Sequence, residues 1–330
     1  MDTSPFVGAL SGPIVTDIRY RRQYLHERQI LLRHHLERFK EGQVDAIVIP
    51  VAGVDDTIAL LQDLSESEGR LRLAHTPDDV LAAKADEAVA VLLGVSFEAV
   101  GSSTAPLQLY RELGACLFAL ALNPRNLLTD GCGERTQAGL SQLGITVVKE
   151  LARHGIMVDV SHTSDAGVAD VAETLPGPFV ASHSNSRTLC PNPRNLTDDQ
   201  ARTIVRHGGF VGVSTYPTLI SSAPGASLEG FLDHIDYFVR LIGVDHVAIG
   251  ADFIDFVRSF IIPKIKSTDP SGAIYGEQET GTIGLDGIQD FQHVITGLKR
   301  RGYSEQDQRK ILGGNFLRVW RQVRENAGLS

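Results

Sequence analysis

The sequence predicts an α/β chain wound as a (β/α)8 TIM barrel. Three observations carry that prediction. Apolar, β-branched runs alternate with helical patterns eight times along the chain, and a repeated strand–helix order favours a parallel sheet or barrel. The runs are apolar almost throughout, as in strands buried on both faces. Two of them, at 156–161 and 179–182, give way to the histidines His162 and His183, and a barrel builds its site at the C-terminal ends of its strands. The length agrees. The chain has 330 residues, which accommodates a barrel of roughly 250 residues with added loops. All of 1–330 is therefore expected to form one domain, with an open doubly wound sheet as the runner-up.

The elements follow in order. Strands are expected at 14–16, 45–51, 88–97, 116–122, 156–161, 179–182, 210–214 and 247–251, each a short apolar or β-branched run. Helices are expected between them at 22–39, 106–113, 146–153, 166–174, 198–206 and 228–241. Two more follow the last strand, at 288–301 and 305–320. The stretch between 161 and 179 is one crossover long, which makes the two histidine-bearing strands parallel neighbours. Two long loops interrupt the pattern, at 123–139 and 254–285; loops this long in a compact domain are usually functional.

Composition narrows the function classes. Hydrophobic residues make up 42% and charged residues 22%, which allows a full globular core. The net charge is −9, with a pI near 5.6 and no basic block, so nucleic acid is not an expected partner. No apolar run has membrane-spanning length, and Met1-Asp2-Thr3-Ser4-Pro5 lacks the features of a secretory signal. Cys116, Cys132 and Cys190 are odd in number and widely spaced, which suits reduced thiols in a cytoplasmic protein.

The candidate site starts from His162 and His183. Two neutral imidazoles at adjacent strand ends face one pocket and suit a metal. Glu98 follows the apolar run 88–97, where a carboxylate is costly to bury unless it is paired or metal-bound. Asp252 ends the last strand, a position from which an aspartate can hold and deprotonate a water. Arg194, in Pro191-Asn192-Pro193-Arg194-Asn195, lies just past His183 and suits bidentate capture of a substrate carboxylate. Tyr216, after the seventh strand, offers a hydroxyl. Cys132 and Glu134, in Thr129-Asp130-Gly131-Cys132-Gly133-Glu134-Arg135, are candidate contacts from the first long loop. His34-His35 reads as a solvated helix face, and Gly208-Gly209 carries no dinucleotide signature.

At these residues the chain resembles the renal (membrane) dipeptidase family, the M19 peptidases of the amidohydrolase superfamily. The stretches that carry the resemblance are Val158-Asp159-Val160-Ser161-His162, Ala181-Ser182-His183-Ser184-Asn185, Pro193-Arg194-Asn195-Leu196, Gly208-Gly209-Phe210-Val211-Gly212-Val213, Gly250-Ala251-Asp252-Phe253 and Gly313-Gly314-Asn315-Phe316-Leu317-Arg318. The resemblance implies a zinc-bearing (β/α)8 barrel, often dimeric, that hydrolyses dipeptides. It makes Glu98, His162 and His183 metal ligands, Arg194 and Tyr216 the binders of the substrate carboxylate, and Asp252 the last-strand aspartate. Two departures stand beside it. The family's strand-one His-x-Asp has no full counterpart in Ser11-Gly12-Pro13-Ile14-Val15-Thr16-Asp17, where Asp17 alone can match. The family's histidine after strand four is replaced by Leu122. One Zn2+ is thus expected, and a second is not secured. The activity expected is metal-dependent hydrolysis of a dipeptide or small amide with a free carboxylate; the alternative is a non-hydrolytic relative that binds a carboxylated small molecule.

Overall fold

The structure, a computed structural model, describes residues 5–8, 12–257, 263, 266–269, 271–276 and 281–329. Its strands are β1 Val7–Gly8, β2 Ala46–Val51, β3 Leu71–Ala74, β4 Val89–Ser96, β5 Ala115–Ala119, β6 Met157–Asp159, β7 Val211–Val213 and β8 Val247–Ile249. Every pairing between them is parallel. The order runs β1-β2-β4-β5-β6, with β3 along the first half of the edge of β4 whose second half pairs with β5. Parallel bridges from Asp159 to Val180 and from Ala181 to Val211 carry the ladder on to β7 and β8. The expected strand at 179–182 is thus present as two bridging residues. Within the expected loop at 254–285, residues 258–262, 264–265, 270 and 277–280 lie outside the described residues. No helix among the described residues is long and apolar enough to cross a membrane.

The strands are apolar on both faces because both faces are covered. On β2 and β4, Ile47, Ile49, Val91 and Leu93 pack with the surrounding helices. The alternate residues Val48, Ala90 and Leu92 pack with Met157, Phe210, Phe316 and Trp320, as the period of two requires. Helix starts follow local chemistry. Ser141 Oγ caps the helix Gln142–Arg153 by accepting from Gly144 N at 3.0 Å. Thr197 and Gln200 form a reciprocal capping box on Asp198–Arg206.

Two expectations about the N-terminal third are corrected. The run at 14–16 is not a strand; it opens the helix Ile14–Tyr24, and the first strand is Val7–Gly8. The β-branched triplet misleads, while burial of Ile14, Val15, Asp17 and Ile18 has helical spacing. The helix expected at 22–39 is broken. Residues 26–29 leave helical geometry, and Asp63 caps a new start by accepting from Ile30 N and Leu31 N at 2.9 and 2.7 Å. The strand Leu71–Ala74 and the helices Val54–Ser65 and Pro77–Ala85 were not expected.

The sheet comes unusually close to itself where the histidines emerge. A Cβ on Gly250 would lie 1.9 Å from the Ser182 carbonyl oxygen and 2.7 Å from His183 Cα. Gly212 meets the same carbonyl at 1.9 Å. Only glycine on the neighbouring strands lets the Ser182–His183 backbone lie this deep.

Candidate metal centre and substrate cavity

The strand ends deliver their side chains to one cavity of about 260 Å³. Pro50, Val51 and Ala52 come from the end of β2, Ser96 and Glu98 from β4, Ala119, Ala121 and Leu122 from β5. His162, His183, Tyr216 and Asp252 follow the next four strand positions. Thr268 and Tyr275 add a wall from the loop after β8. The histidines meet: their Nε2 atoms are 3.0 Å apart and their ring centroids 5.0 Å.

Their orientation follows from the groups behind them. His162 Nδ1 is 2.8 Å from Asn123 Oδ1. The Asn123 amide is itself oriented, because its Nδ2 donates to Tyr275 Oη at 2.8 Å. His162 Nδ1 therefore carries the proton and donates it. Behind His183, buried Asp159 accepts from Ser161 N at 2.9 Å, Ser182 N at 2.8 Å and Ser182 Oγ at 2.5 Å. Ser182 Oγ, its proton committed to Asp159, accepts from His183 Nδ1 at 2.6 Å. Both Nε2 atoms are then bare lone pairs turned toward each other. Burial holds both imidazoles well below the usual histidine pKa, and the charge of Arg194 adds to it. Both rings are neutral near pH 7, the form that ligates metal. His162 and Asp252 also have left-handed backbones, with φ of 68° and 56°. Such geometry costs of order 1–3 kcal/mol and gathers at functional sites.

Asp252 is partly exposed on the cavity wall. Burial pushes its carboxyl up to about 7, against the opposing pull of Arg194. Arg194 is 3% exposed and lies behind His183 without lining the cavity. Its Nη1 donates to Ser184 Oγ and its Nη2 to the His183 carbonyl, each at 2.7 Å. Its Nε is buried without a partner, and no carboxylate pairs with it among the described residues. A buried cation of that kind favours an anion nearby. Tyr216 packs edge-on against Tyr275 at 5.4 Å.

Other expected site residues lie elsewhere or are engaged otherwise. Among the described residues, no three His, Cys, Asp or Glu side chains assemble as a metal-holding group. Glu98 shares the cavity wall with the histidines but is exposed and accepts from Ser96 Oγ. Cys132 is buried behind the cavity, donating to Asn123 Oδ1 at 3.3 Å, with its thiol pushed up by burial to about 11. Glu134 accepts from Arg125 N and does not line the cavity. Asn123, Ser182 and Tyr275 carry no sequence signal that marks them as site residues. One signal lies behind His183: an aspartate, Asp159, inside an otherwise apolar strand.

Asp17 is not in the cavity. It is buried on the helix Ile14–Tyr24, 2.9 Å from His35 Nε2 and 2.8 Å from Arg21 Nε, so both its oxygens are engaged. Burial alone would raise its pKa, but His35 and Arg21 outweigh that and hold it below the usual aspartate value. Its contribution to stability is thus full above about pH 4, the unfolded value, and lost as pH falls through its lower folded pKa. Asp17→Ala is expected to reduce unfolding free energy by roughly 2–4 kcal/mol at neutral pH, Arg21 being partly exposed. Urea titrations should show the gap from wild type closing below about pH 4, with metal content unchanged. Metal lost from this variant would restore Asp17 as a ligand.

The family profile described as Membrane dipeptidase (Peptidase family M19) matches residues 28–261 and 272–329. The match begins beyond β1 and the helix that follows it. Dipeptidase aclJ of Aspergillus oryzae is 34% identical over 236 residues, covering 70% of this chain and 51% of that protein. Dipeptidase tcpJ of Claviceps purpurea is 29% identical over 275 residues, covering 82% of this chain and 60% of that protein. The chain thus spans about half to three fifths of the length of these relatives. A solved structure, an amidohydrolase from Pseudomonas aeruginosa, superposes with a TM-score of 0.82 at 24% identity, over 97% of this chain and 96% of that one; at that identity the likeness concerns the fold. With its profile matched over most of its length, the chain belongs to the membrane dipeptidase family, peptidase M19.

Proposed function

We propose that this protein is a metal-dependent hydrolase of dipeptide-sized amides that carry a free carboxylate. The observation that supports it most is the histidine pair. Two buried, neutral imidazoles with both Nδ1 protons donated away leave two lone pairs 3.0 Å apart. That arrangement is repulsive by itself and would be relieved by a cation bound to both Nε2 atoms, with the outer hydrogen bonds fixing the ligand orientation. The donor set fits one cation. His162 and His183 would hold it, with Glu98 turned from Ser96 as the third ligand, and imidazole with carboxylate suits zinc. Among the described residues, Gly12, Pro13, Val15 and Thr16 on the opposite wall bring no histidine or carboxylate, and Asp56 of the same cavity is engaged by Arg19 Nη1 and Ala52 N. A structure of similar fold, a metallo peptidase from Rhodobacter sphaeroides, was solved with a phosphinate mimic of the dipeptide L-Ala-D-Ala, which is consistent with the size of the cavity.

The bound ion would supply Lewis acidity and lower the pKa of a water. The chain's residues do the rest. Asp252, at the cavity wall with a carboxyl near neutrality, takes the proton from the attacking water and returns it to the leaving nitrogen. Arg194 attracts the substrate carboxylate. The apolar wall of Val51, Ala119, Ala121 and Leu122 excludes water from the amide. The same reading takes the eight strand positions as a closed (β/α)8 barrel of one domain, supported by the continuous parallel ladder. Buried, unpaired cysteines support a reducing, cytoplasmic location. A homodimer rests on the family resemblance and is tested by light scattering.

The decisive experiment is metal analysis of the purified protein with a panel of L,L- and L,D-dipeptides. Zinc with turnover supports the reading. Stoichiometric metal with no hydrolysis of any amide overturns it in favour of a binding relative.

Arg194→Lys should raise KM by about one to two decades, since a compact ammonium cannot keep the bonds to Ser184 Oγ and the His183 carbonyl and still offer donors to a carboxylate. Arg194→Ala should do at least as much, with kcat less affected. Amidating the substrate carboxylate should impair the wild type and leave the Ala variant nearly indifferent. Equal responses to that modification would show Arg194 to be structural.

A further inference from the structure

We infer that Tyr275 is a catalytic residue of this cavity, its phenolic O–H donating a hydrogen bond to the amide carbonyl oxygen as that oxygen gains negative charge. The inference rests on the hydrolase reading and adds to it a residue from outside the strand ends. Tyr275 lines the same cavity as His162, His183 and Asp252. Its Oη accepts from Asn123 Nδ2 at 2.8 Å, and among the described residues nothing accepts its own proton. Asn123 is fully buried, with its Oδ1 taken by His162 Nδ1 and Cys132 Sγ. One buried amide therefore sets both the His162 ring, through Nδ1, and the Tyr275 oxygen.

The segment that carries Tyr275 is anchored. Asp269 Oδ2 accepts from Ile274 N and Tyr275 N at 2.8 and 2.9 Å. Buried Asn192 donates to the Ile274 carbonyl at 2.8 Å, tying the segment to the loop that bears Arg194. The ring is held edge-on against Tyr216.

The histidines and Leu122 offer no alternative donor. Both imidazole N–H groups face Asn123 and Ser182. Leu122 presents only carbon to the cavity. Burial raises the phenol pKa far above its usual value, so the group remains a donor at every working pH. Charge developing on a carbonyl oxygen is stabilised most by a donor already fixed in a water-poor site. The step balances without ionising the tyrosine. Water oxygen bonds to the carbonyl carbon, the π pair moves to oxygen, and the water's proton goes to Asp252. When the C–N bond breaks, nitrogen takes that proton from Asp252, and Tyr275 keeps its own throughout.

Tyr275→Phe removes only the hydroxyl. Steady-state kinetics, metal analysis and inhibition by a phosphinate dipeptide mimic are measured on wild type and variant. The expected result is a fall in kcat of about 10²–10³-fold with KM within about twofold. Phosphinate affinity should fall comparably, product affinity should hold, and metal content should be unchanged. A kcat within about twofold of wild type overturns the assignment. So does a loss of metal parallel to the loss of rate, which would make Tyr275 a support for His162 through Asn123, or a rise confined to KM, which would make it a ground-state contact. Wild-type protein that hydrolyses no amide overturns the hydrolase reading itself, a result distinct from an active wild type matched by an active variant.

Discussion

Replacing His183 with alanine is expected to strip the protein of its metal and, with it, of hydrolysis. The reason lies in how the ring is held. Its Nδ1 proton goes to Ser182 Oγ at 2.6 Å, and Ser182 in turn bonds the buried Asp159. This relay fixes the tautomer, aims Nε2 at His162 and raises its basicity. A site with three protein ligands has no reserve when one is removed. The neighbouring substitution calibrates the effect. Ser182→Ala keeps the ligand but removes its orienting partner, for which a loss of about 10–100-fold in metal affinity is expected; His183→Ala and His162→Ala should exceed that. Metal content after dialysis against a competing chelator measures both. Retention of a full zinc equivalent by His183→Ala at neutral pH would sink the metal centre as drawn.

The features legible in the sequence were those with a local signal. His162, His183 and Asp252 each follow a short apolar run, and such runs become parallel strands whose C-terminal ends share one face. The histidines could be paired before their distance was known, because one crossover separates them. What stayed hidden had no local signal. Asn123 and Tyr275 are 152 residues apart, and only the path of the loop after β8 joins them. Ser182 looks like any strand-end serine until Asp159 lies beneath it. β1, Val7–Gly8, is two residues long, too short for any periodicity to declare itself. Ile14-Val15-Thr16 has strand-like composition, yet its burial pattern with Ile18 belongs to a helix. Leu71–Ala74 carries a weak strand signal, with Arg72 facing solvent inside a four-residue run. His35, expected on a solvated helix face, is instead buried at 1% exposure against Asp17. Here tertiary packing decided where sequence composition leaned the other way.

The largest loss of rate with the metal in place is expected at Asp252. A positioned general base contributes about 10²–10⁴-fold, and Asp252→Asn should reduce kcat by that amount while leaving metal content intact. The pH behaviour gives a second, independent reading with a definite sign. In the folded protein free of metal, burial raises the Asp252 carboxyl to about 7, while the unfolded chain ionises near 3.9. Between those values the folded state holds a proton that the unfolded state has released, so stability falls as pH rises through the window from about 4 to 7. This is opposite to Asp17, whose contribution is lost on acidification. Metal-free Asp252→Asn should therefore equal wild type in stability near pH 4 and exceed it at pH 8, as read by urea unfolding. A cation seated on His162 and His183 favours the charged carboxylate and draws the pKa down. The acid limb of kcat/KM in the loaded enzyme should then lie below pH 7, and adding metal should reduce the stability advantage of the Asn variant at pH 8. An Asn variant with wild-type kcat would remove Asp252 from the proton-transfer role. An Asn variant that loses rate but shows no stability difference at pH 8 would place the carboxyl in water, free of the burial that brings its pKa near neutrality.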